Sequence, residues 1–222
     1  MKLLSRIVMS GLLLGVARPS HAELILTMEQ VDDCSAGPCH HDVLVSGGGT
    51  VNLADLIGFD LSRPEVFDAE IMPFFAKILL GSDPSHALPI DVYGSPLVHG
   101  PSDFGPDYVN GHFFTLASSG TGDRFGILGD GNFIVVPDGY VSGDPLSATS
   151  VYAGQTLKSL GVTPGTYVWT WGAGVNADSF TLEIKPAPAP VPEPVSLSLL
   201  GVAAAGLGVR RWRRTVVGAQ RK

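Results

Sequence analysis

Leu160-Gly-Val-Thr-Pro-Gly-Thr-Tyr-Val-Trp-Thr-Trp171 is the stretch on which the fold turns. Pro164-Gly165 sets a tight turn, since proline presets φ and glycine accepts the reversal that follows. From Tyr167 onward the residues alternate, so Tyr167, Trp169 and Trp171 share one face of a strand. A tyrosine just after such a corner is placed to return its hydroxyl to the upstream backbone, as in the tyrosine corner of β-sandwich proteins. The two tryptophans have two readings. Turned inward they are core, the commoner use of a Trp pair on one strand face; laid open they would be a stacking platform for sugar.

Runs with the same alternation or β-branched enrichment recur along the chain, separated by Gly, Asp, Asn and Pro clusters. They predict strands over residues 24–30, 42–53, 90–93, 112–116, 124–128, 132–136, 166–171 and 179–184. Gly129-Asp-Gly-Asn132 between two of them is a hairpin signal. Helix signals are few. Residues 65–80 carry a periodic stretch that Pro73 interrupts, and 156–160 would make one turn. With 28 Gly and 17 Pro among 222 residues, tight turns outnumber helix interiors. The expected fold is all-β: an antiparallel β-sandwich of jelly-roll or immunoglobulin-like kind, with a closed barrel as second choice.

Charge divides the chain into segments. All 21 acidic residues and five basic ones lie between Glu23 and Pro194, a net −16, against −7 for the whole chain. The remaining basic residues sit at the two ends. So acidic a domain repels nucleic-acid backbones, which excludes nucleic acid as a partner. Residues 1–22 hold Lys2 and Arg6, an apolar run from Ile7 to Val16, and the small residues Ser20 and Ala22. That is the order of a secretory signal peptide, cut between Ala22 and Glu23. The exported domain then spans 23–185.

A Pro-rich spacer follows at 186–194, extended because proline blocks helix and sheet hydrogen bonds. Residues 195–209 are uncharged and apolar, about 22 Å long as a helix, and 210–222 form a basic tail opening with Arg210, Arg211, Trp212, Arg213 and Arg214. By the positive-inside rule this tail stays cytoplasmic, which places the acidic domain across the inner membrane, in agreement with the signal peptide. A membrane anchor with a Pro-rich stalk and no processing is the plain alternative.

Pro192-Glu193-Pro194, an apolar helix and an arginine cluster in that order near the C-terminus resemble the PEP-CTERM sorting signal of Gram-negative bacteria. The resemblance covers about the last thirty residues. It implies processing by an exosortase, an inner-membrane cysteine transpeptidase that acts near the Pro-Glu-Pro, followed by release to the cell surface or an exopolysaccharide matrix. On this resemblance Pro192, Glu193 and Pro194 are the recognition element and Arg210 to Arg214 the membrane stop. Residues 136–184 also resemble the body of small PEP-CTERM proteins, a likeness that carries no chemistry.

Few other residues point to chemistry. Cys34 and Cys39 are the two cysteines, and in an oxidising compartment they are expected to form a local disulfide contributing about 2 kcal/mol. Zinc held by Cys34, Cys39, His40 and His41 is the alternative, weakened by the poor convergence of adjacent histidines. Asp123, Asp130, Asp138 and Asp144 lie in Gly-containing loops, read as solvated turn carboxylates with calcium as the alternative; no other cofactor is expected. Gly172-Ala-Gly-Val-Asn-Ala177 precedes a strand-like run and reads as a hairpin turn, not a dinucleotide loop. His86, His99 and His112 are isolated in sequence and define no triad. The expectation is therefore a noncatalytic structural or binding domain at the envelope or in the matrix, with a secreted hydrolase acting on exopolysaccharide as the alternative from another class.

Overall fold

The computed structural model describes residues 23–33, 39–59, 66–81, 88–96, 98–106, 114–129 and 131–189, with backbone alone for 66, 67 and 88. The chain divides into two units, Met1–Ala187 and Pro188–Lys222, and the fold is that of the first.

Among the described residues the strands are β1 (Glu23–Asp33), β2 (His40–Gly49), β3 (Ile57–Phe59), β4 (Val66–Phe67), β5 (Glu70–Met72), β6 (Lys77–Leu80), β7 (Leu88–Gly94), β8 (Thr115–Leu116), β9 (Ser119–Gly122), β10 (Phe125–Leu128), β11 (Phe133–Pro137), β12 (Leu146–Ala153), β13 (Gly165–Trp171) and β14 (Asp178–Ile184). They form two sheets. One runs β13-β14-β1-β2-β12-β9; the other runs β3-β7-β11-β10-β6-β5-β8, with β4 also paired to β7. The protein is all-β, as the turn-rich composition predicts.

Alternation decides which side chains enter the core. Leu24, Leu26 and Met28 of β1, Val43 and Val45 of β2, and Phe180, Leu182 and Ile184 of β14 face inward from the six-stranded sheet. Ile71, Ile78, Ile127 and Ile134 sit directly opposite one another across β5, β6, β10 and β11 and join the same cluster from the second sheet. One core is therefore built from both sheets. Each fully buried side chain of this size contributes about 1.5–3 kcal/mol through the water it sheds.

The structure corrects the sequence reading in four places. The strand expected over 42–53 ends at Gly49, whose φ of +144° is a conformation that side-chain-bearing residues rarely adopt. A Cβ there would lie 2.0 Å from the Glu23 carbonyl oxygen. The stretch 65–80, read as interrupted helix, is strand on both sides of a short 3-10 turn at Pro73–Phe75, reversed by Ala76 in the left-handed region. Ile78, Leu79 and Leu80 are all buried, so this segment is apolar on both faces, a pattern periodicity cannot separate from helix. β12, unmarked in the sequence reading, is a central strand between β2 and β9. Finally, the sheets are not wholly antiparallel: β1 and β14 pair in parallel, Glu23 opposite Ser179 through Met28 opposite Ile184. Hairpins join neighbours antiparallel; a parallel pair needs a long crossover, and here residues 34–177 lie between the two strands.

The outer faces of the two sheets differ. Across the six-stranded sheet, Thr121, Thr149, Ser46, Thr27, Glu183 and Thr166 stand in one row, each opposite the next. Across the second sheet the corresponding row is Phe59, Val92, Val135, Gly126 and Leu79. There Leu79, Ile90, Val92 and Val135 make a second, smaller apolar cluster.

Candidate functional site

The stretch that opened the sequence reading folds as a corner followed by a strand. Thr156 caps the single helical turn Leu157–Leu160, accepting from the Ser159 N–H, and Gly161 ends it in the left-handed conformation. The Tyr167 hydroxyl donates to the Thr163 carbonyl at 2.9 Å, four residues upstream. Trp169 and Trp171, sharing its face, are 0% and 2% exposed. Each indole N–H is satisfied inside, Trp169 by the Pro101 carbonyl at 2.9 Å and Trp171 by the Asn52 carbonyl at 3.0 Å. Trp169 also meets Phe180 edge to face, with centroids 5.6 Å apart. The open stacking platform at Trp169 and Trp171 is thus corrected to core: alternation puts both rings on one face of β13, and packing in the core cluster turns that face inward.

Carboxylates are engaged chiefly as turn supports. Asp178, 4% exposed, accepts from the Asn52 N–H at 2.6 Å and ties the loop after β2 to β14. Asp55 accepts from the Ala173 N–H, Asp91 from Gly139, Asp42 from Gly154 and Asp123 from Ser147. Of the loop aspartates considered for calcium, Asp123 has this backbone partner, Asp138 and Asp144 are exposed, and Asp130 lies outside the described residues. Among the described residues, no three His, Cys, Asp or Glu side chains gather where a metal could be held.

Cys39 is disulfide-bonded, which removes its thiolate from any zinc site; Cys34 lies outside the described residues. His41 Nδ1 is 2.8 Å from Asp32 Oδ1, directly across β1 and β2, and this hydrogen bond holds the Asp32 carboxyl below its ordinary range. His99 pairs through its backbone with Thr170 and is exposed, while His86 and His112 are outside the described residues. Gly172–Ala177 connects the antiparallel pair β13 and β14 through a 3-10 turn at Gly174–Asn176. Glu23 opens β1. Ala22, Pro192, Glu193, Pro194, Arg210, Arg211, Trp212, Arg213 and Arg214 lie outside the described residues, as does the apolar segment 195–209.

Three features escaped the sequence reading. Arg124 is buried with 1% exposure, its ionisation opposed by burial and supported by Asp68 and Glu70; Glu70 itself pairs with Lys77, both largely shielded from solvent. The Tyr152 hydroxyl is fully buried with no hydrogen-bond partner among the described residues, and burial drives its pKa far upward. A groove of about 250 Å³ runs over Ser46, Gly47, Thr121, Gly122, Ser147, Ala148 and Thr149, where the Thr121 and Thr149 hydroxyls bond at 2.8 Å. Its hydroxyls offer both donors and acceptors to a polar partner. The signal for it was Ser147-Ala-Thr149, whose first and third residues are small and polar and share the outward face of β12. Compared with protein-family models, with curated proteins and with solved structures, the chain matches none.

Proposed function

We propose that the chain is an exported protein carried to the cell surface or extracellular matrix by an exosortase-type pathway, with a two-sheet sandwich acting as a noncatalytic structural or binding domain. One observation carries the reading: the fold ends where the Pro-rich spacer read from the sequence begins. β14 ends at Ile184, and residues 185–189, where that spacer starts, carry no strand. The first and last strands are neighbours in one sheet, so the folded body closes on itself before the spacer begins. The disulfide-bonded Cys39 and the net charge of −16 suit an oxidising, salt-bearing exterior. Within this reading the apolar segment 195–209 is a temporary anchor and residues 192–194 the sorting element.

Intact mass of the protein from wild-type cells and from an exosortase deletion tests the sorting step. Loss of residues 195–222 in the wild type and their retention in the deletion is the expected result. Retention in both strains overturns it and leaves a plain membrane anchor. A hydrolysis assay on exopolysaccharide tests the other half, since turnover would make the domain an enzyme.

A further inference from the structure

At the edge of the second sheet, β3 pairs along one side with β7 and exposes all three of its residues. Phe59 meets Phe133 edge to face, with centroids 5.0 Å apart and planes at 88°. The Phe133 ring packs close to two glycines: a Cβ on Gly94 would stand 2.5 Å from it and 2.9 Å from Phe59, and one on Gly131 would stand 2.4 Å from it. Two glycines thus let the aromatic pair form the wall of an open groove of about 250 Å³, lined also by Ile57, Ser95 and Asn132. Phe59 is 48% exposed and Ile57 64%. Asn132, at φ +55°, stands beside the rings with a carboxamide that supplies both donors and acceptors.

The charge of the lining decides among occupants. Ile57, Phe59, Gly94, Ser95, Pro96, Gly131, Asn132 and Phe133 are uncharged, in a segment whose net charge is −16. An anionic polymer would be repelled by the domain and meet no compensating cation among the described residues that line the groove; a cationic one would find no carboxylate among them. What fits is a neutral ligand with an apolar face for the rings and hydroxyls for the carboxamide. The volume falls below the range of about 300–1,000 Å³ common for enclosed small-molecule sites, so the groove takes one or two units of a longer molecule at a time. We propose that the groove between Phe59, Phe133 and Asn132 binds a neutral sugar chain, with a pyranose ring stacked on the exposed Phe59 ring, which Phe133 holds edge to face. The inference rests on the binding-domain reading above and relocates aromatic sugar stacking from the buried Trp169 and Trp171 to an exposed edge.

The test is titration of the purified full chain with cellohexaose and laminarihexaose, with polygalacturonate and an extended Val/Thr octapeptide as competitors of other classes. Binding of a neutral hexasaccharide is expected, weakened at least tenfold in Phe59→Ala and at least fivefold in Asn132→Gly, with polygalacturonate and peptide unbound. Glycine accepts φ +55° without strain, so Asn132→Gly reads the carboxamide alone and keeps the test sharp should Phe59→Ala disturb the edge. No binding of either hexasaccharide, unchanged binding in both variants, or preference for polygalacturonate or the peptide would each overturn the proposal. Sorting is read separately by intact mass, so failure here leaves that result untouched.

Discussion

The outer face of the six-stranded sheet is a row of hydroxyls, Thr121, Thr149, Ser46 and Thr27, ending in Glu183 and Thr166; that of the second sheet is Phe59, Val92, Val135, Gly126 and Leu79. Both sheets obey the same pleat and both give their inner faces to one core. What differs is the partner of the other face. Hydroxyls remain hydrated and bond across strands, so the first face is complete as it stands. An apolar face gains by losing water, and Leu79 and Val135 are fully buried. Where the burial gives out, at the β3 edge, Ile57 and Phe59 stay exposed. The second face of each sheet is thus where this fold separates a hydrated surface from an apolar one that is buried except at its β3 edge.

Introducing one charge on each face should break or uphold the contrast most sharply. Val135→Asp places an unpaired carboxylate in the second apolar cluster and is expected to lower stability by about 4 kcal/mol or more, whereas Thr149→Asp on the hydroxyl row should stay within about 0.5 kcal/mol. Equal losses in urea unfolding would show that the faces do not differ.

Tyr152 tests the inner side of the hydroxyl sheet. Its phenol is held neutral in the folded state by burial, so the unfolded chain alone releases that proton once pH passes the ordinary tyrosine value near 10. Stability is then fully present below about pH 10 and falls by about 1.4 kcal/mol per unit above it. Tyr152→Phe should remove its own share of the alkaline loss, leaving that of Tyr93, Tyr140 and Tyr167, and keep neutral stability unchanged or higher, because the hydroxyl it removes has no hydrogen-bond partner among the described residues. Melting curves at pH 7 and pH 11 distinguish the two behaviours.

A smaller effect belongs to the hydroxyl pair. Thr121→Val, keeping the β-branched shape, should cost less than about 0.5 kcal/mol, because the exposed Thr149 hydroxyl exchanges its 2.8 Å partner for water. The smallest lies at the exposed hairpin end. Asp32 is held below its ordinary pKa by His41, so its contribution is present above about pH 4 and is lost as pH falls through the lowered folded value. Asp32→Asn should therefore shift the denaturation midpoint at pH 6 and lose its effect at pH 2; a shift of the same size at both values would mean that the pair is not electrostatic.

Local features were legible where local chemistry suffices. The helical turn over 156–160, the hydroxyl of Tyr167 returning to Thr163, and the β10–β11 hairpin around Gly129 each depend on residues within a few positions of one another, whereas the reversal expected at Pro164-Gly165 falls at Gly161 and Gly165 already opens β13. β12 was passed over because Ala148 and Ser150 are small, and their inward alternation gains meaning only when β2 and β9 flank them. Residues 77–80 looked helical because burial on both faces erases the period of two. The aromatic groove was hidden for a different reason: Phe59 and Phe133 are far apart in the chain, and nothing local says that Gly94 and Gly131 will bring their rings together.

By itself the sequence determined the β class, the corner before β13, and the segmentation of charge that sets an acidic body between basic ends. These follow from backbone preference, alternation and counting, all read along the chain. Tertiary structure alone decided that β1 and β14 lie parallel, that Trp169 and Trp171 face the core, and that one sheet turns hydroxyls outward while the other turns out apolar residues. Alternation along a strand says that its two faces differ; only the packing of one sheet against another says which face meets water.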